Sequence, residues 1–246
     1  MPSAKKREPP SNTGLLSDMS DTNPDFADLT LDELRIALAP DIAASAIFDG
    51  WNETALATAA DMAGADPDIA KLAFPDKPLG GRAMDMIDAW IVSVDQAMEK
   101  EWPKERLAEL KIRERIRTLV AFRLEAVADI DEAVRRAMAV MAMPQHAPRA
   151  LQIGWRSADL MWRLAGDTAT DYNHYTKRTI LAGIYSATLA VFVNDDSEGK
   201  ARTHEFLDRR IDGVMKFEKA KAKLLNSDRE LPSLSRFLGR LRYPSR

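Results

Sequence analysis

A chain of 246 residues, 46% hydrophobic and 30% charged, carries enough apolar material to bury a core in one domain or in a domain with a small appendage, which excludes a wholly disordered protein. A formal net charge of -3 excludes the broadly basic surface on which general nucleic-acid affinity depends, and the lack of cysteine excludes disulfides, thiolate nucleophiles and thiolate-bound metals. No apolar run reaches the roughly 20 residues that span a bilayer, and the acidic Glu8, Asp18, Asp21, Asp25 and Asp28 fit a mitochondrial presequence poorly, so the expected location is a bacterial cytoplasm.

Plentiful Ala, Leu, Met, Arg and Glu, with almost no period-two runs of β-branched residues, predict an all-α fold. Residues 1–28, rich in Pro, Ser, Asn and Asp, read as a disordered leader. A helix follows over 32–48 on Leu34, Ile36, Leu38, Ile42 and Ile47, with Pro40 as a kink or boundary and Gly50 as its end. Asn52 is placed to cap a second helix through Met62, and Pro67 to open a short third after Gly64. These three have helix-turn-helix spacing and make up a part covering 29–78.

A helical core over 79–225 comes next. Met84, Ile87, Trp90, Ile91, Val94 and Met98 recur at helical spacing over 81–101. Further helices are expected over 104–128 and 131–143, the second closed by Pro144 and Pro148, and then over 150–165. Gly166 is a stop, and Thr168 with Asp171 has capping-box spacing, so another helix should start near Thr168, with its regular run over 171–192. The last runs from 198 to about 225. Residues 226–246 read as a flexible connection followed by an amphipathic helix.

Catalytic constellations are scarce. His146, His174 and His204 are the three histidines, and Asp171-x-x-His174 is a lone carboxylate–histidine pair without the companions that a di-iron bundle needs. Leu79-Gly80-Gly81 is too short for a phosphate loop. No metal, cofactor or activated nucleophile is expected. The 54–74 helix-turn-helix puts Asp66, Asp68 and Asp76 around a single Lys71, which repels a polyanion and points to a scaffold.

Two apolar features remain. Leu119, Phe122, Met138, Met141, Leu151, Trp155, Leu181 and Ile184 lie on successive helices among many methionines, and suit either an ordinary core or a pocket for a flexible chain. Toward the carboxy terminus, Leu234, Phe237, Leu238 and Leu241 form a stripe flanked by Arg236 and Arg240 with no acidic residue, a pattern that lies well in a membrane interface.

The stretch from Asp159 to Arg178 is denser in charged and aromatic residues than a helical hairpin requires. Asp171, His174, Tyr175 and Arg178 fall at i, i+3, i+4 and i+7, one stripe on one helix face. Its Met161-Trp162, Ala165-Gly166-Asp167, Thr170-Asp171-Tyr172-Asn173, Tyr175-Thr176 and Arg178, followed by Ala182, Ile184-Tyr185, Phe206-Leu207 and Arg210-Ile211, resemble the ninth Coq protein family of ubiquinone biosynthesis, from about Leu31 to about Lys216. The 54–77 segment resembles TetR-type repressors in the same way.

The resemblance implies a TetR-regulator-like helical bundle with a vestigial helix-turn-helix, homodimeric and non-catalytic, that binds isoprenoid quinone intermediates. It implies the di-iron demethoxyubiquinone hydroxylase as partner, met through Met161, Asp171, His174, Tyr175 and Arg178. It also implies attachment at the inner face of the cytoplasmic membrane through the terminal helix. His174 departs from the family, in which Trp can stand at that place, so less aromatic area is available there. A ligand-responsive DNA-binding regulator is the alternative.

Overall fold

The computed structural model describes residues 26–170 and 172–225, and among them every regular element is a helix. Residues 226–246, with the whole of the Leu234–Leu241 stripe, lie outside them, as do Asp171 and all but the last three residues of 1–28. The described chain forms two compact units divided between Ser93 and Val94, inside a helix.

The first unit begins with a single 3-10 turn at Phe26–Asp28. Helix α1 (Leu31–Asp49) is started by Thr30, whose hydroxyl accepts from the Glu33 amide while the Glu33 carboxylate accepts from the Thr30 amide at 2.9 Å. Pro40 lies within α1 and does not end it. Its lost hydrogen bond costs roughly 3 kcal/mol, offset by one apolar face, Leu34, Leu38, Ile42 and Ala46, that stays buried on both sides of it. Helix α2 (Glu53–Ala63) has Asn52 as its cap and ends at Gly64, whose φ of 74° and ψ of 20° are left-handed. Helix α3 (Pro67–Ala73) is capped by Asp66 with Pro67 in its first turn.

Glu53, at the head of α2, receives Lys71 of α3 at 3.2 Å and Arg82 at 2.8 Å, and Arg82 also donates to the Phe74 carbonyl at 3.0 Å. Leu56, Phe74, Met84 and Ile87 close the core of this unit, with Trp51 and Trp90 5.3 Å apart beside them.

Helix α4 (Gly81–Glu101) runs across the division into the second unit. There the single helix expected over 104–128 is two, α5 (Lys104–Leu107) and α6 (Ile112–Glu125). The break is held by a side chain further on. Arg115 donates to the carbonyls of Leu110 at 2.8 Å and Ala108 at 3.0 Å, satisfying acceptors that a continuous helix would use internally.

Helix α7 (Asp131–Met141) follows. Pro148 does not close it but sits in the first turn of α8 (Ala147–Leu164), where its missing N–H costs nothing. Helix α9 spans Tyr172–Phe192, close to the run expected over 171–192, while Thr168, read as its start, falls in an irregular segment. Helix α10 spans Ala201–Leu225. Helix α9 packs against α8 and α10, and α6 packs against α8 and α10.

Two buried polar centres fix this unit. Arg123 of α6 is paired with Asp95 of α4, and Asp95 also accepts from Ser157 of α8 at 3.1 Å. At the entry to α10, the fully buried Asp195 side chain accepts from the Thr203 amide at 2.8 Å, the Thr203 hydroxyl at 2.7 Å and the Ser197 amide at 2.9 Å. Burial alone would raise its pKa, but these bonds outweigh it and hold the carboxyl well below the usual carboxylate range.

A carboxyl so depressed contributes stability in full above its unfolded pKa of about 3.9, and that contribution is lost as pH falls below it. Asp195→Asn should cost about 2–4 kcal/mol near pH 7 in urea denaturation. Between about pH 4 and 2 the variant should lose less further stability than the parent. Parallel pH profiles for the two proteins would contradict this.

Candidate functional site

A cavity of about 330 Å³ opens in the second unit among α6, α8, α9 and α10. Helix α6 contributes Ile112, Arg113 and Ile116, and α8 contributes Trp162. Helix α9 contributes Asn173, Thr176, Lys177, Ile180, Leu181 and Ile184, and α10 contributes Ile211 and Val214. Seven of these twelve are Ile, Leu or Val. Such a lining gives an apolar ligand the dispersion and desolvation it needs but offers no nucleophile or paired carboxylates for chemistry. The size is at the low end of ligand pockets, about 300–1,000 Å³, and is too small to enclose a long prenyl tail whole.

The end of α8 explains why α9 meets the cavity as it does. Gly166 has φ of 88°, its amide donates to Arg163 O at 3.1 Å, and the Asp167 amide donates back to Trp162 O at 2.9 Å, which is a Schellman motif. A side chain on Gly166 would meet Arg115 at 3.1 Å, and that guanidinium donates to Ala165 O at 2.8 Å.

The motif turns Asp167 back toward α9. There its carboxylate accepts from Lys177 Nζ at 2.5 Å and Arg178 at 3.0 Å. Arg178 also donates to Asp159 of α8 at 2.5 Å and to His174 O at 3.1 Å. Its side chain is 2% exposed and that of Asp167 5%. Burial would raise the Asp167 pKa, but the bonds from Lys177 and Arg178 prevail and lower it. On the cavity side, Trp162 Nε1 donates to Lys177 O at 3.0 Å, and the Lys177 ammonium sits 5.4 Å from the Trp162 ring.

The COQ9 family model matches residues 147–218, a span that holds every cavity residue except the three on α6 and the whole Asp159–Asp167–Lys177–Arg178 cluster. The chain carries a COQ9 domain. It is 30% identical over 173 residues to the rat ubiquinone biosynthesis protein COQ9, mitochondrial, covering 68% of this chain and 54% of that protein. It is 35% identical over 100 residues to the human protein of the same name, 41% of this chain and 31% of that one. It is 38% identical over 96 residues to the Drosophila melanogaster protein, 39% and 29%.

The matched region therefore spans about half or less of these relatives' own length. The fold is that of a TetR transcriptional regulator from Nitrosomonas europaea, with a TM-score of 0.57 at 22% identity over 73% of this chain and 96% of the other. The expected location in a bacterial cytoplasm, at the inner face of its membrane, is overturned, because the rat, human and fly relatives are all named mitochondrial. The acidic Glu8, Asp18, Asp21, Asp25 and Asp28 that prompted it describe the composition of one segment and do not outweigh those relatives.

The residues expected to line a pocket are placed in several different surroundings. Of those eight residues, Leu181 and Ile184 line this cavity. Leu119 is fully buried core, Leu151 is 76% exposed, and Phe122, Met138 and Met141 are half-buried away from the cavity. Trp155 stands in an aromatic cluster, with Tyr175 at 6.0 Å and His174 at 6.5 Å. The isoleucines of α6 and α10 were missed, although Ile112 with Ile116 and the helical spacing of Ile211 to Val214 carry the signal.

The expected contact stripe also divides. Tyr175 is 61% exposed, and the half-buried His174 packs edge-on against it at 5.2 Å while its Nδ1 donates to Ala169 O at 3.0 Å. Met161 and Arg178 are buried, so their side chains serve packing and an internal ion cluster rather than an open face. Asp171 lies outside the described residues. Among the described residues no three His, Cys, Asp or Glu side chains gather as metal ligands, and no helix is long and apolar enough to cross a membrane. On α3 the exposed residues are Pro67, Asp68, Ile69, Leu72 and Lys71, the last paired with Glu53.

Removing one member of a buried ion cluster leaves the others uncompensated. Arg178→Ala should therefore cost about 3–5 kcal/mol in urea denaturation, whereas Tyr175→Ala should cost about 1 kcal/mol or less. Equal and small losses would show that Arg178 is not the tie between α8 and α9.

Proposed function

We propose that the chain serves ubiquinone biosynthesis as a non-catalytic lipid-binding accessory protein. It holds an isoprenoid quinone intermediate against α9 and presents it to the demethoxyubiquinone hydroxylase through the Tyr175 side of the same helix. The carrying observation is the coincidence of the aliphatic cavity with the COQ9 domain, whose relatives are named for ubiquinone biosynthesis. Partition and proximity supply the gain: a very insoluble substrate leaves the bilayer and reaches an enzyme already oriented, which lowers the entropic part of its barrier.

The membrane side of this reading belongs to Leu234, Phe237, Leu238 and Leu241 with Arg236 and Arg240. Each arginine near an anionic surface contributes roughly 1 kcal/mol. For the partner side, Tyr175 with Trp155 and His174 offers a rigid aromatic surface of the kind that anchors protein interfaces. The DNA-binding alternative finds no support on α3, where the single lysine is already paired and Asp68 would repel phosphate.

Mass spectrometry of lipid extracted from the purified full chain should return a polyprenyl quinone or related isoprenoid. Ile180→Trp, which fills the cavity, should reduce the recovered lipid severalfold with helical circular dichroism unchanged. Protein that is consistently empty, or recovery untouched by the filled cavity, would contradict the reading.

A further inference from the structure

The α9 wall of the cavity changes character along its length. Its lining positions follow i, i+3, i+4, i+7, i+8 and i+11, one continuous stripe of roughly 16 Å. The first three are Asn173, Thr176 and Lys177, and the last three are Ile180, Leu181 and Ile184. A wall serving only a core, or only a hydrocarbon, has no use for this gradient. We propose that the stripe is a polarity axis: an amphipathic ligand lies along α9 with its oxygen-bearing head at Lys177 and its tail over Ile180 to Ile184. This rests on the lipid-binding reading above and adds the ligand's direction and the residue that sets it.

Lys177 is suited to that role because it is positioned before any ligand arrives. Asp167, itself nearly buried and anchored by Arg178, holds the ammonium at 2.5 Å beside the Trp162 ring. An ammonium has three protons to donate, so the bond to Asp167 leaves capacity for a carbonyl, phenol or other acceptor oxygen. Asn173 and Thr176 add neutral polar groups at the same end, Asn173 on the first turn of α9, where the helix dipole also favours acceptors.

The reverse orientation fails on hydrogen bonding. A head placed at Ile180, Leu181 and Ile184 would leave its oxygens without donors in an aliphatic tract. The polar end is also the end of α9 that carries Tyr175, on the helix face away from the lining. A protein docked on that aromatic surface therefore meets the head of the ligand before its tail.

Titration calorimetry on the full chain with a benzoquinone bearing a two-isoprene tail, and with the matched tail as a headless hydrocarbon, tests the direction. The parent should bind the quinone more tightly. Lys177→Met should weaken quinone binding about three- to tenfold while leaving the hydrocarbon within about twofold. Lys177→Arg, which keeps a donor and the Asp167 pair, should preserve the preference. If Lys177→Met does not fold, Thr176→Val reads the same contrast at the same end, with a smaller loss. Unchanged quinone affinity in the folded variants overturns the head placement and leaves the cavity standing as a lipid site. Failure of the parent to bind either probe overturns both.

Discussion

A guanidinium with 2% of its side chain exposed fixes the geometry on which the rest depends. Arg178 reaches Asp159 on α8 and Asp167 in the turn after it, and these two acceptors set the rotation of α9, while His174 O on its own helix holds the guanidinium in place. That rotation puts Asn173 to Ile184 on the cavity and Tyr175 on the surface. Taking an ion from water is expensive, and a lone buried arginine would destabilise the fold. With two carboxylates and a carbonyl it becomes a tie whose disruption is costlier than its formation is favourable. Such a tie gives specificity of arrangement more than net stability.

The same cluster joins the two faces of α9. Asp167 is shared between Arg178, which holds the helix, and Lys177, which lies on the cavity wall beside Trp162. Position in the cavity and position on the surface are thus set by one carboxylate. The Schellman turn at Gly166 is what delivers Asp167 to that place, since only a left-handed residue there reverses the chain tightly enough. A short local motif therefore governs the site's long-range geometry.

Much of the fold was legible because its signals are local. Asn52, Gly64, Pro67 and Gly166 do at caps and turns what their backbone chemistry dictates, and Gly81 to Glu101 shows its apolar spacing plainly. What escaped depends on partners distant in sequence. The break at 108–111 is held by Arg115, the irregular 167–170 by Lys177 and Arg178, and Pro40 is carried through α1 by burial on both sides. The site was less legible than the fold for the same reason. A stripe of Asp171, His174, Tyr175 and Arg178 looks like one open face until Asp159, 19 residues before Arg178, draws it inward. The methionines of α7 suggested a pocket by type, while the cavity is built from isoleucines on α6, α9 and α10.

The central claim is that the α6–α8–α9–α10 cavity, nine of whose twelve lining residues fall in the COQ9 domain, is where a prenyl chain lies. Photoaffinity labelling tests it most directly, using a polyprenyl quinone with a diazirine in its tail, followed by peptide mass spectrometry of the full chain. Adducts concentrated on Ile112 to Ile116, Ile180 to Ile184 and Ile211 to Val214, and competed away by unlabelled quinone, are the result this account predicts. Competable adducts on Met138 and Met141, or within residues 26–93, would contradict it.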